Sequence, residues 1–144
     1  MIRYGMDLHL TPSTLASIQD IETSYARLGI VVNDIYSFEK ELRAYAHNPT
    51  DTGKVLNMVA VQAQETGVDF ATAKRVLWVL CREWEVLHLE MVREKGRGMN
   101  KEGDGVGDED GEKEALRVYM KGLELVLGGN EKWSEYTRRY HEKE

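Results

Sequence analysis

Asn33, Ser37 and Glu41 follow one another at four-residue intervals in the string Asn33-Asp34-Ile35-Tyr36-Ser37-Phe38-Glu39-Lys40-Glu41. On an α-helix each four-residue step turns a side chain by only about 40° around the axis, so all three share one face over two turns. An amide oxygen, a hydroxyl and a carboxylate form a hard, all-oxygen set with a single negative charge. Such a set suits Mg²⁺, which takes few protein ligands and completes its shell with water and phosphate oxygens. Lys40 lies on the same side of the helix, within reach of a phosphate in that shell. Spacing alone leaves two readings open, because a solvated polar helix face is the commoner meaning of these residue types.

The element that must carry these residues is long. Apolar side chains recur in steps of three and four from Leu15 through Ile18, Ile21, Tyr25, Leu28, Val32, Ile35, Phe38 and Leu42, which predicts one helix of about thirty residues starting near Pro12. His47 to Gly53 has loop composition, and a shorter helix is expected over about 54–65, ending at Gly67. Asp69 reads as an N-cap for a second long helix, with a stripe through Ala73, Val76, Leu80, Trp84, Leu87 and Met91. Residues 96–112 collapse into glycine and acid and are expected to form a flexible loop. Asp104, Asp108 and Asp110 there lack the spacing that wraps a calcium ion. A further helix is expected over about 113–127, followed by a short, aromatic, basic end. Period-two alternation is absent, so the fold class is all-α, a single helical unit over 1–144.

The charge balance narrows the partners. A net charge of -6 with 31% charged residues gives no electrostatic reason to expect nucleic acid. Cys81 is the sole cysteine, in the apolar run Val79-Leu80-Cys81, and reads as a small buried hydrophobe; no internal disulfide can form, which makes a cytoplasmic setting the default expectation. No stretch approaches the ~20 apolar residues of a membrane span, and the opening segment lacks the apolar core of a signal peptide. His9, His47, His88 and His141 have no ligand spacing and are expected at the surface or as caps. Trp78 and Trp84 are expected to pack, and Arg27, turned roughly 120° from the Asn33 face, to be a surface charge.

The nine-residue string closely resembles the second metal motif of class I terpene synthases: Asn-Asp, an aliphatic, any residue, Ser or Thr, three residues, then Glu. Asn33, Asp34, Ile35, Ser37 and Glu41 occupy the matching positions, and Lys40 just before the last Glu is typical of the microbial branch. Near the end, Gly129-Asn130, Trp133-Ser134 and Thr137-Arg138-Arg139-Tyr140 resemble the tail of fungal-type sesquiterpene cyclases, the group that includes aristolochene synthase. The resemblance implies a Mg²⁺ ligand set of Asn33, Ser37 and Glu41, and a diphosphate-binding set of Lys40, Arg139 and Tyr140. It implies Mg²⁺-dependent ionisation and cyclisation of a prenyl diphosphate, farnesyl diphosphate being expected from the tail, with none of these residues acting as acid or base.

The sequence also departs from that pattern. No DDxxD string or close variant occurs, and the upstream diphosphate-sensing arginine has no counterpart. The resemblance thus implies the C-terminal half of the family's helical bundle, with apolar faces left for a missing N-terminal half or a second copy to cover. An isolated chain of this kind is expected not to be a competent cyclase; a helical interaction protein with relic motifs is the alternative. A prenyl-chain-elongating synthase is disfavoured, because it relies on paired aspartate-rich motifs.

Overall fold

The structure is a computed structural model that describes residues 5–48, 55–101, 108–137 and 140. Among the described residues five helices follow in order: α1 Pro12–Ala16, α2 Gln19–His47, α3 Met58–Thr66, α4 Phe70–Lys101 and α5 Asp108–Tyr136. There is no strand among the described residues, as expected of an all-α chain.

α2 is the axis of the fold. Its buried residues Leu28, Val31, Val32, Ile35 and Phe38 join Val59 and Ala63 of α3 and Ala73, Leu77 and Cys81 of α4 in one core. A second core gathers Ile18 and Ile21 with Met99 of α4 and Leu116, Tyr119, Met120 and Leu123 of α5. The Tyr119 hydroxyl, donating to Glu22, ties α5 to the start of α2. Both clusters remove apolar area from water and supply most of the drive to fold.

The first helix does not run unbroken from Pro12. Thr11 caps α1, its hydroxyl accepting from the Thr14 amide at 3.2 Å, with Pro12 pre-set for the first turn. The chain then breaks at Ser17, whose amide bonds back to Ser13 and Thr14 and whose hydroxyl donates to the Thr14 carbonyl. That local bonding competes with the helix, and the turn delivers Ile18 into the second core. Glu112 of α5 holds α1 in place by accepting from the Thr11 amide and the Thr14 hydroxyl.

α3 begins later than expected, because Asn57 is its cap, and it ends as expected at Gly67, whose φ of 70° is the left-handed region that glycine tolerates. Asp69 accepts from the Thr72 amide at 2.7 Å and starts α4 as expected. The buried line of α4 is Ala73, Leu77 and Cys81, one residue round from the expected stripe; Val76 and Leu87 stand exposed. The run Val76-Leu77-Trp78-Val79-Leu80-Cys81 is apolar on every side, so periodicity cannot choose its inner face, and the small Ala73 and Cys81 let α2 approach. Cys81 is buried as expected, and burial pushes its thiol up to about 11.

The expected loop at 96–112 is largely helix. α4 continues through Gly96 and Gly98 to Lys101, and α5 starts at Asp108; residues 102–107, with Asp104, lie outside the described residues. Each glycine costs a helix only about 1 kcal/mol, which the burial of Met99 against α5 offsets. α5 likewise passes Gly128 and Gly129 to Tyr136, held by Arg82 of α4 on Glu131 at 2.5 Å and by the burial of Ser134.

His88 also corrects the sequence reading. It is 1% exposed inside the bundle, and neither ring nitrogen has a hydrogen-bond partner among the described residues. Burial pushes its imidazole below the ordinary value, while the charges of Glu124 and Glu85 pull the other way. The unfolded chain therefore takes up this proton first as pH falls, so the neutral form's stability is complete above the ordinary value near 6.5 and is lost below it. We expect the unfolding free energy read from urea titrations to fall between pH 7.5 and 5.5, by up to about 1.4 kcal/mol per pH unit. The fall should be smaller in His88→Leu; equal slopes in both proteins would contradict this. His9 and His47 are exposed as expected, and His141 lies outside the described residues.

Candidate metal and diphosphate site

Helix α2 presents Asn33, Ser37 and Glu41 together, as the spacing predicts. Ser37 is buried, and Asn33 and Glu41 are half-buried, with Ile35 and Phe38 of the same helix packed in the core. The Ser37 hydroxyl donates to Glu41 Oε1 at 2.5 Å, so hydroxyl and carboxylate are already in register. Lys40 is exposed beside them.

The C-terminal segment reaches this face. The Tyr140 hydroxyl donates to Asn33 Oδ1 at 3.0 Å, across a sequence separation of 107 residues. Its ring stands edge-on to Trp133 of α5, with centroids 5.9 Å apart. The end of α5 thus delivers Tyr140 to the first residue of the oxygen triad. Arg139, the expected partner of Tyr140, lies outside the described residues.

Asp34 belongs to the motif, and its carboxylate is engaged by the start of α3. Its Oδ2 accepts from the Met58 amide at 2.8 Å, giving the start of α3 an acceptor from outside the helix. Burial pushes its carboxyl above the ordinary range; the Met58 bond lowers it, the charge of Glu41 raises it, and a bond from Asn33 lowers it.

Asn57 is the residue that sequence reasoning missed. It is buried, its Oδ1 accepts from the Val59 amide, and its Nδ2 donates both to the Asp34 carbonyl at 2.9 Å and to Glu41 Oε2 at 3.0 Å. Asn directly before the apolar run Met58-Val59-Ala60-Val61 was a legible N-cap signal, though its link to Glu41 was not.

The flanking residues fall as expected. Trp78 packs edge-on against Tyr36, and Arg27 is exposed, its guanidinium over the Trp84 ring on the α4 side. Among the described residues no cluster of three His, Cys, Asp or Glu side chains is placed to hold a metal, so the mixed Asn-Ser-Glu set is the candidate. Its oxygens are hard, they converge on one face, and Ser37 and Glu41 are pre-oriented, which fits a small divalent cation.

A family model described as terpene synthase family 2, C-terminal metal binding, matches residues 1–85, a span that contains the whole α2 triad. The chain belongs to the terpene synthase family. This terpene synthase chain is 38% identical over 141 residues to aristolochene synthase of Penicillium roqueforti, covering 98% of the chain and 38% of that enzyme. Aristolochene synthase of Aspergillus terreus is also 38% identical, with 97% and 40% covered, and colleterpenol synthase of Colletotrichum gloeosporioides is 30% identical, with 99% and 18% covered. The crystal structure of the Penicillium roqueforti enzyme superposes with a TM-score of 0.71 at 36% identity, over 94% of this chain and 40% of that one. The chain thus has the all-helical terpene cyclase fold and spans about two fifths of the aristolochene synthases it matches. No described helix is long and apolar enough to cross a membrane.

Proposed function

We propose that this chain supplies the second metal site and part of the diphosphate clamp of a class I terpene cyclase, acting on farnesyl diphosphate. The observation that carries the proposal is the convergence of Asn33, Ser37 and Glu41 on one face of α2 with the Tyr140 hydroxyl on Asn33.

Asn33, Ser37 and Glu41 would hold one Mg²⁺, which supplies Lewis-acid neutralisation of the leaving diphosphate. Glu41 brings the one formal charge of the set, and its bond from Ser37 holds that hydroxyl beside the carboxylate. Tyr140 sits where its O–H can be shared between Asn33 and a phosphate oxygen, Lys40 adds a charged donor from the next turn, and Arg139 a forked one. No group here needs to accept a proton from substrate, in keeping with a reaction begun by departure of an anion. Ile30, 60% exposed one turn before Asn33, and the half-exposed Trp133 beside Tyr140 offer apolar surface next to the polar face. Such surface suits an isoprenoid chain and keeps water from it.

The sequence contains no DDxxD string, so this chain alone offers one metal site where ionisation calls for a full cluster. Equilibrium dialysis of the 144-residue chain against farnesyl diphosphate tests the reading. We expect Mg²⁺-dependent retention that inorganic diphosphate competes away, with no hydrocarbon product formed. Retention indifferent to Mg²⁺ would contradict the metal site, and measurable cyclisation would contradict the statement that one site is insufficient.

A further inference from the structure

We infer that Asn57 is a positioning residue that keeps Glu41 a one-oxygen ligand and so biases the site towards Mg²⁺ over Ca²⁺. The inference rests on the metal reading of the Asn33-Ser37-Glu41 face.

The two carboxylate oxygens of Glu41 have different partners. Oε1 accepts from the Ser37 hydroxyl, and so lies on the side of the triad. Oε2 accepts from Asn57 Nδ2 at 3.0 Å, and that same nitrogen donates to the Asp34 carbonyl at 2.9 Å. Asn57 cannot rotate away cheaply. Its other side-chain atom, Oδ1, caps α3 by accepting from the Val59 amide at 2.9 Å, and the residue is 2% exposed. All three bonds would be lost together inside the protein, leaving buried polar groups unpaired. The amide therefore clips Oε2 to the α2–α3 junction and leaves Oε1 to face the metal side.

Which oxygens remain available decides which cation fits. Mg²⁺ demands near-ideal octahedral geometry and takes carboxylates through one oxygen, whereas Ca²⁺ accepts six to eight oxygens and often takes both from one carboxylate. Anchoring Oε2 withholds the second oxygen and fixes the direction of the first. Outer partners of this kind typically change metal affinity by about 10–100-fold. Asp34 has a part as well, since its carbonyl receives the second N–H of Asn57 and its carboxylate receives the Met58 amide, so α2 and α3 are locked where Glu41 is set.

The test is a pair of titrations of the full chain with Mg²⁺ alone and Ca²⁺ alone, followed by the side-chain ¹⁵N–¹H resonances of Asn33. Asn57→Ser keeps an oxygen to cap α3 but is too short to reach Glu41. Mg²⁺ affinity should drop at least about tenfold, and Ca²⁺ affinity less than about threefold. Asn57→Asp keeps length and capping oxygen and lacks the N–H donors; it should show the same fall in the Mg²⁺-to-Ca²⁺ ratio if the serine variant does not fold. Val59→Ala is the control for simple loosening of α3, and should leave the ratio unchanged. An unchanged ratio in both Asn57 variants, or an equal fall in Val59→Ala, overturns the positioning role while the metal site stands. If Asn33 in the unmodified chain responds to neither cation, the metal reading itself is overturned and this inference with it.

Discussion

Glu41→Gln should weaken Mg²⁺-dependent diphosphate binding by at least about 100-fold, since loss of outer partners alone commonly costs 10–100-fold. Glu41 carries the only formal charge of the triad, and the glutamine has the same shape without it. The backbone should barely notice, because the amide oxygen can still accept from Asn57 while the new NH2 group donates to the Ser37 hydroxyl, which can turn to accept. A far-UV spectrum and a urea midpoint close to those of the unmodified chain are thus expected alongside the loss. Calorimetric titration with Mg²⁺ and diphosphate reads the first effect; retained binding within threefold would remove Glu41 from the ligand set. Asn33→Ala should also weaken binding, by less, since it removes a neutral oxygen and leaves Tyr140 without its acceptor there.

The largest stability effect should come from Phe38→Ala, beside the polar face of the same helix. Phe38 is buried between α2 and α4, edge-on to Phe70 with centroids 4.9 Å apart and with Lys74 Nζ 5.3 Å from its ring centre. Lys74 is in turn ion-paired with Glu39, so the ring lies beneath a strap between the helices. Emptying such a site costs about 3–5 kcal/mol, a large part of the ~5–15 kcal/mol that holds a domain together. Phe70→Ala, at a position left 44% exposed, should cost less than half as much. Urea unfolding at one pH compares the two, and equal losses would show that the Phe38 cavity collapses on relaxation.

Much of this is legible in the sequence itself. The face of α2 follows from spacing alone, because four-residue steps keep Asn33, Ser37 and Glu41 in line wherever the helix goes. Pro12, Gly67 and Asp69 mark ends whose signals are local: a fixed φ, a left-handed turn and a capping carboxylate. What escaped depends on distant parts of the chain. The inner face of α4 was hidden because its middle is apolar all round, and only the approach of α2 selects Leu77 and Cys81 over Val76 and Leu80. Helix through Gly96 and Gly98 runs against propensity and is repaid by Met99 in a core assembled from α2 and α5. His88 sits inside the bundle because its helix position faces inward, a fact its residue type does not announce. The shared polar face of Asn33, Ser37 and Glu41 was legible, whereas the bond from Tyr140 to Asn33 and the reach of Asn57 to Glu41 exist only through the fold.

The most direct test of the central claim is titration of the 144-residue chain with inorganic diphosphate, with and without Mg²⁺, followed by tryptophan fluorescence. Trp133 stands against Tyr140, and Tyr140 against Asn33, so filling the site should alter its emission. Saturable binding that needs Mg²⁺ and is weakened in both Asn33→Ala and Arg139→Ala is the predicted result. A folded chain that binds no diphosphate at any Mg²⁺ concentration would contradict the account and leave the motifs as a mark of ancestry.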